Sequence, residues 1–489
     1  MKNRIKTIIA LILSLPLAFT GCAANSPSPS TSASPLPNWN GGKMPVTLKA
    51  PLYFLSEDGT HFAIMAKDIQ AQEDETRTEA LVWALIEGPS GDYKSILPAN
   101  TQVDWVEEST GIINVFLSGS FPGFTPEDYL IAKTAIADTL IDAEGVDYVN
   151  VYINGILPDY MGIPTGPATR YTEDIATLLN GYAAQGQAME EEGAITSTAV
   201  LYFRDESGQY LIPQAVPVQY DASDNVQTII QALIKGPKTG SGLKAVLPPD
   251  LTELEPPTLV DNADGTRTAI LNFSGLPILS DAASQVAEVL PYASLSSSIT
   301  GNLPNVRDII VKLNGKPVTG VPGADFLPDG RIQRELFHEL TGNHITLYFP
   351  DKEFKSLITI KRCVPQRLAM DPSTRISELM RGPLEAENES AWPVFPGGVA
   401  LTDLAGVQIS GNTVVINFTY DFKRKCEGLS AAGENMLVYS MVNSMTEMAG
   451  IRRIQFIFDG KIYASLAGHI HMQTPLMRNP GLIMKEPAI

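Results

Sequence analysis

Hydrophobic positions along this chain switch repeatedly between a period of two and a period near 3.6, and the switches recur in one order. "PLYFLSEDG" at 51–59 returns as "VLYFRDESG" at 200–208 and "TLYFPDKEF" at 346–354, each reading as a strand that runs into an acidic tip. Helical spacing follows: in "NVQTIIQALIKGP" Val226, Ile229, Ile230, Leu233 and Ile234 fall on one apolar stripe. Such helices stop at Gly88-Pro89, Gly236-Pro237 and Gly382-Pro383. Glycine adopts the left-handed conformation that ends a helix at little cost, and proline cannot continue the helix. In the third copy Asp371-Pro372 supplies the matching start, a capping carboxylate before a first-turn proline.

Leu97-Pro98, Leu247-Pro248 and Phe395-Pro396 come next, then the strand signals "GIINVFLSGSF", "RTAILNFSGL" and "NTVVINFTYDF". A second helix and a closing strand with a tight turn complete each copy, at "VNVYINGI", "IIVKLNGK" and "IQFIFDGK". Recurrence of these landmarks in order predicts internal triplication. The fold class expected is α+β: three tandem two-layer α/β sandwich repeats, each strand-strand-helix-strand-strand-helix-strand, with a sheet packed on helices by one face and more polar on the other. The repeats span 46–160, 196–320 and 343–468, with connectors at 161–195 and 321–342 and a tail at 469–489.

The second helix carries Val438, Met441, Val442 and Met445 before Gly450, and Ile136 and Leu140 before Gly145. In the middle copy Pro291 interrupts this region and Asn305 replaces the glycine, so a shorter or broken helix is expected there. Thr172 is the expected cap of a connector helix bearing Ile175, Leu178, Leu179 and Tyr182, and "RIQRELFHEL" puts Ile332, Leu336 and Leu340 on one face. Packing of both segments on neighbouring units would make a semi-rigid rod. The tail, rich in Met and Pro, shows no pattern.

The first residues change the picture from a cytoplasmic to an exported chain. Lys2, Arg4 and Lys6 precede an apolar run from Ile8 to Phe19, and Thr20, Gly21 and Cys22 follow. This is a secretory signal over 1–21, with Cys22 placed as in a bacterial lipobox and expected to be lipidated. Lipid at Cys22 would be the membrane anchor, holding the chain outside the cytoplasm on the outer face of the cell membrane. Residues 22–45, rich in Ser and Pro, read as a tether reaching roughly 70 Å at about 3.1 Å per residue. The formal net charge is -19, and loss of the three signal cations brings it to -22. Such an acidic surface argues against nucleic acid as a partner. Cys363 and Cys426 leave two readings open, a structural disulfide or two buried thiols.

Candidate chemistry is sparse. Ser223-Asp224-Asn225, Lys238-Thr239-Gly240 and the Ser241/Lys244 pair match three penicillin-binding-protein signatures, but in the wrong order and within one helix and its exit loop. A helix cap and a solvated loop explain them better. His469 and His471 would share one face of a strand, without a Cys or acidic cluster at ligand spacing. No phosphate-binding glycine loop or recognisable nucleophile is present, and the acidic tips lack the alternating carboxylates of a calcium loop. Positions shared by the copies are almost all apolar, Gly or Pro, which suits repeated packing and not repeated catalysis. No catalytic residue, metal ligand or cofactor is therefore expected.

The ordered set of "LYF", a helix ending in Gly-Pro, "LP", a "VINF"-type strand and a last helix feeding "RRIQFIFDGK" resembles the GerMN domain family of exported sporulation and germination proteins. The third copy, through "MVNSMTEMAGIRRIQFIFDGK", carries the resemblance most fully. It implies a non-enzymatic envelope scaffold that meets envelope proteins through sheet edges and helix faces. A peptidoglycan or polysaccharide binder is the alternative; it would need an aromatic platform on a sheet face, whereas Trp83, Trp105 and Trp392 are scattered across two copies, and a cell-wall hydrolase is the enzymatic alternative.

Overall fold

Each repeat begins with a long hairpin whose first strand buries three residues in succession: Leu52-Tyr53-Phe54, Leu201-Tyr202-Phe203 and Leu347-Tyr348-Phe349. Successive side chains of a strand point to opposite faces, so this run means that both faces are covered. The computed structural model describes residues 34–35, 46–71, 76–387 and 390–484; the expected signal segment 1–21, Cys22 and nearly all of the expected tether 22–45 lie outside them. The hairpins pair Val46–Leu55 with Phe62–Ala71, Ala194–Arg204 with Leu211–Asp221, and Gly342–Pro350 with Leu357–Pro365. Their tips close on their own carboxylates, as where Asp351 accepts from the N–H groups of Lys355 and Ser356 at 2.8 and 3.0 Å.

The first helices, Arg77–Ile86, Asn225–Lys235 and Pro372–Arg381, start at the side-chain caps Thr76, Asp224 and Asp371. They stop at the three glycines, though not in the left-handed helical conformation expected. Gly236 and Gly382 have φ of 86° and 81° with ψ of -179° and -178°. The proline that follows disfavours helical ψ at its predecessor, which leaves an extended, positive-φ geometry open essentially to glycine alone.

A three-stranded sheet follows in every repeat. Gln102–Ser109, Glu253–Asp261 and Leu404–Ser410 form the edge strands, and each runs antiparallel to a middle strand, Ile112–Ser118, Arg267–Phe273 or Thr413–Phe418. The middle strand pairs in parallel with a third: Tyr148–Ile153, Val306–Leu313 or Arg453–Phe458. Parallel neighbours need a crossover, and the second helix supplies it at Pro126–Glu144, Leu290–Thr300 and Ala431–Met445. Pro291 does not break its helix but sits in the first turn, where its missing N–H costs nothing; the helix is shorter than its counterparts, as expected. Asn305 takes the glycine's role at φ 58°.

The element order of each repeat is the predicted one, and the chain is α+β in three tandem repeats. The strands of a repeat, however, do not join into one sheet. Hairpin and three-stranded sheet are separate hydrogen-bonded units, and the second helix packs against both the first hairpin strand and the third sheet strand.

Nor do the repeats form a rod. A single apolar core runs from Ala50 to Phe337 through the first two, while the third has its own, from Ile345 to Met472. The third returns to the first: Thr110 N–H donates to Asn343 Oδ1 at 3.0 Å, Glu108 N–H to Gln366 Oε1 at 3.0 Å, and Ser109 Oγ to the Gly342 carbonyl. Connector geometry accounts for the difference. Asp174, not Thr172, caps the connector helix Ile175–Glu192, and Tyr182 meets the ring of Tyr160 in the first repeat at 6.1 Å. Arg331–Ile332 pairs with the third strand of its own repeat, and the 3-10 helix Arg334–Leu340 buries Arg334 and Phe337 while Leu336 faces solvent. A three-residue turn puts Phe337 where an α-helical period would have put Leu336.

A triplicated arginine clamp as the candidate functional site

In all three repeats the tyrosine of "LYF" is held from two sides. Its backbone N–H donates to a buried hydroxyl on the second helix: Tyr53 to Thr139 Oγ1 at 3.1 Å, Tyr202 to Ser298 Oγ at 3.0 Å, and Tyr348 to Ser444 Oγ at 3.0 Å. The hairpin strand cannot reach the three-stranded sheet, so the helix supplies the acceptor that a ladder would otherwise provide.

The other side is closed by a segment beyond the last landmark. After each repeat the chain turns back and pairs antiparallel with the third strand, Ala168 opposite Val149, Ile332 opposite Ile309 and Leu476 opposite Ile454. Two residues further on stands an arginine: Arg170, Arg334 or Arg478. Its guanidinium lies over the tyrosine ring, 4.7 Å from Tyr53, 5.9 Å from Tyr202 and 5.3 Å from Tyr348, and donates to the phenol oxygen. Such a contact contributes about 0.5–2 kcal/mol, the upper end where water is excluded.

The third member is a carboxylate, and here the repeats differ. Tyr53 donates to Asp142 at 2.5 Å and Tyr348 to Glu447 at 2.6 Å, each acid one helical turn beyond the Thr or Ser acceptor. Arg170 also pairs with Asp138 at 2.8 Å. In the second repeat the equivalent position is Gly301, where an added Cβ would come within 3.2 Å of Arg334 and 3.4 Å of the Tyr152 hydroxyl. The acid comes instead from the first repeat: Glu107 lies 3.5 Å from Arg334 and 3.4 Å from the Tyr202 hydroxyl.

That borrowing makes the clamp a joint between repeats. On one face of the first sheet Trp105, Phe116 and Tyr152 lie side by side across three strands, and Glu107, Asn114 and Asn150 form the neighbouring row. The rings stack at 4.1 and 4.7 Å, and Arg334 covers them, 4.8 Å from Phe116 and 4.4 Å from Tyr152. Asn150 donates to Asn114, which donates to Glu107 and to the Tyr202 hydroxyl at 3.2 and 3.0 Å. The polar sheet face read from the sequence is therefore present but covered by the second repeat. Arg334 is 2% exposed, against 35% for Arg170 and 34% for Arg478.

The electrostatics suit a structural lock. Burial, then hydrogen bonding to Asp142, pushes the Tyr53 phenol up to about 12, and burial drives Tyr202 well above the ordinary phenol range and raises Tyr152. Burial alone would lower Arg334, but Tyr202, Tyr152 and Glu107 around it more than offset this. These phenols stay protonated and act as donors, and the guanidinium stays charged.

The family follows from comparison with known sequences. A profile described as "Germane: Sporulation and spore germination" matches residues 51–157, 200–319 and 346–464. The chain belongs to this family. It is GerM-like: the spore germination protein GerM of Bacillus subtilis (strain 168) is 23% identical over 280 residues, covering 55% of this chain and 72% of that protein. The solved tandem GerMN domains of the sporulation protein GerM from Bacillus subtilis are 18% identical, cover 59% of this chain and 99% of that one, and give a TM-score of 0.23. The first GerMN domain of that protein alone is 22% identical over 28% of this chain and 98% of its own, with a TM-score of 0.21. All three Germane matches end before the arginine that closes the clamp.

Residues singled out in the sequence fall largely outside this site. Cys22 lies beyond the described residues. Cys363 and Cys426 are free thiols and form no disulfide. Cys363 is in a hairpin strand beside Gly342 and Tyr210, Cys426 lies in the third core, and burial pushes both thiols up, Cys426 to about 12. Asp224 caps its helix through Gln227 N–H at 3.1 Å and Ser223 bonds to Asp221, while Lys238, Thr239 and Gly240 are exposed in the exit loop and Lys244 pairs with Asp281. His469 and His471 lie in a loop, not a strand, and His469 donates its backbone N–H to the buried Glu434 carboxylate at 2.7 Å. No three His, Cys, Asp or Glu side chains among the described residues gather as metal ligands. Trp105 is spent in the aromatic row, and among the described tryptophans only Trp392 is well exposed.

Two expectations are corrected here. The copies do share polar groups: the phenol, the helix hydroxyl and the returning arginine. The tail carries structure too, since Arg478 completes the third clamp.

Proposed function

We propose that this Germane-family chain is a non-enzymatic, lipid-anchored envelope scaffold acting in sporulation or germination. The observation that carries the reading is that the polar groups common to all three repeats are turned inward and consumed in folding, so the repeated unit is a built surface and not a reaction centre. The order of charged start, apolar run and Gly21-Cys22 supports lipid attachment at Cys22, and no helix among the described residues is long and apolar enough to cross a membrane. The relatives are named for spore germination and sporulation. Envelope proteins are the partners this reading calls for. Peptidoglycan is the weaker candidate, because the tryptophans among the described residues do not form a shared platform.

The test combines fractionation with co-isolation. Wild-type protein should incorporate a fatty-acid probe and sediment with membranes, and Cys22→Ala should do neither. Cross-linked envelope proteins should co-purify with the chain, whereas sedimentation with purified peptidoglycan should stay at background. Membrane retention of Cys22→Ala, or saturable peptidoglycan binding without any co-purifying protein, would overturn the proposal.

A further inference from the structure

The segment between middle strand and second helix differs in length among the repeats, and the difference leaves a cleft in the first one. In the second repeat this segment, 274–289, folds over the hairpin: Asp281 pairs with Arg204 at 2.8 Å and Lys244 at 3.5 Å, and Ala282 lies against Gly208. In the third, 419–430, it forms the short helix Tyr420–Cys426, whose Phe422 is 1% exposed and meets the ring of Phe395 at 6.1 Å. Phe395 heads the same step to proline as Leu97 does in the first repeat.

The first repeat keeps the framework but lacks the cover. Leu55 and Lys94 exchange the backbone hydrogen bonds that Arg204 and Lys244 exchange in the second, which establishes the positions as equivalent. Its connecting segment is only 119–125, and beside it opens a cleft of about 250 Å³ walled by Leu55, Ile96, Leu97, Phe124 and Ile131. Asp128 is also in the wall, but its carboxylate is engaged in capping Thr125. Exposed Lys94 directly precedes Ser95 of the cleft wall, with its ammonium beside Gly59 of the hairpin tip, and has no ion pair among the described residues, whereas its counterpart Lys244 holds Asp281.

We infer that this cleft docks a loop of a partner protein in which an apolar side chain, for the Leu55–Leu97–Phe124 wall, stands beside a carboxylate for Lys94. The chain itself displays a version of this chemistry where it covers the same place in the second repeat, with Leu279 buried two residues before Asp281; of the two cations that hold Asp281 there, the first repeat keeps the lysine, as Lys94, and has Leu55 in place of Arg204. A second copy is a poor occupant, because its own Leu279 and Phe422 are already buried at home. The inference rests on the scaffold reading for its biological sense, but not for its physical test.

The probe is a synthetic peptide of the chain's own residues 276–284, titrated calorimetrically into the full chain from Cys22 onward. One-to-one binding is expected, with methyl shifts at Ile96, Leu97 and Ile131. Lys94→Glu should weaken it at least fivefold, Ser95→Trp should abolish it by filling the mouth, and Lys352→Glu in the third repeat should leave it unchanged. The melting temperature of each variant should match wild type, since all three side chains are solvent-accessible. No saturable heat at millimolar peptide, or binding indifferent to both Lys94→Glu and Ser95→Trp, would overturn the cleft. Envelope proteins that still co-purify in that case would leave the scaffold standing; peptide binding without any co-purifying protein would do the reverse. A peptide-sensitive dimer in solution would assign the cleft to a second copy and overturn the choice of occupant.

Discussion

Arg334 and Glu107 are 227 residues apart in the chain and meet in an interior that water does not reach. Their contact ties the end of the second repeat to the sheet of the first. Removing one member of a buried pair strands the other, at a cost of about 3–5 kcal/mol, whereas an ion pair at the surface contributes about 1 kcal/mol or less. Arg334→Met should therefore destabilise the first two repeats by several kcal/mol in calorimetry and leave the transition of the third near its wild-type position. Arg478→Met should do the opposite and cost about 1 kcal/mol. Equal losses for the two variants would show that the joint is not interior.

The helix hydroxyls make a second prediction. Ser444→Ala and Ser298→Ala each leave the N–H of a buried tyrosine without its acceptor, a loss of about 1–3 kcal/mol. Amide exchange at Tyr348 should accelerate in Ser444→Ala while that at Tyr202 is unchanged, and Ser298→Ala should reverse the pattern. Exchange rates unaltered at both sites would remove the hydroxyls from the clamp.

Stability should depend on pH with two slopes of opposite sign. Burial, together with the Glu144 carboxylate, pushes Glu108 up to about 7 from 4.5, so between those values the folded chain keeps a proton that the unfolded chain has released, and stability falls as pH rises. Burial pulls Lys133 down to about 7 from 10.5; above pH 7 the unfolded chain holds the extra proton, and stability rises with pH. Lys133 Nζ can still donate to Thr165 Oγ1 at 3.1 Å as a neutral amine. Each limb should amount to roughly 2–3 kcal/mol. Denaturant titrations at pH 5, 7 and 9 should show the minimum, Glu108→Gln flattening the acidic limb and Lys133→Met the basic one.

Gly236→Ala tests the helix stop. The added methyl would find only Ala245 at an ordinary 3.6 Å, so any loss reports the backbone. A residue with a Cβ held at φ 86° and ψ -179° costs about 1–3 kcal/mol. A melting temperature equal to wild type would mean that the turn relaxes.

The thiols should stay apart. After oxidation of the folded protein, intact mass should reveal no bond between Cys363 and Cys426, and alkylation of Cys426 should require denaturant.

What could be read from the sequence was whatever has a period. Hairpins, helices, sheet strands and their order all announce themselves through apolar spacing, as do the glycine stops and the Asp224 and Asp371 caps. The clamp does not, because a returning bridge at Ala168, Ile332 or Leu476 is too short to have a period, and a lone arginine two residues later resembles any surface cation. A tyrosine stands in every copy of "LYF", where the strand pattern alone gives its hydroxyl no role. Three consecutive hydrophobic residues at "LYF" are the hint the sequence carries, since a strand covered on both faces needs something beyond its sheet to receive its polar groups. Leu336 faces solvent for a related reason: a seven-residue 3-10 helix turns every three residues, not every 3.6.

Gly301 has a bearing on how the molecule comes into being. The chain is synthesised amino end first, so the sheet bearing Glu107 is available long before Arg334 emerges to seek a counter-ion. The middle module thus inherits its missing charge from an elder sibling, and a chain cut to start at residue 194 would emerge with its guanidinium unanswered and its tyrosine half held.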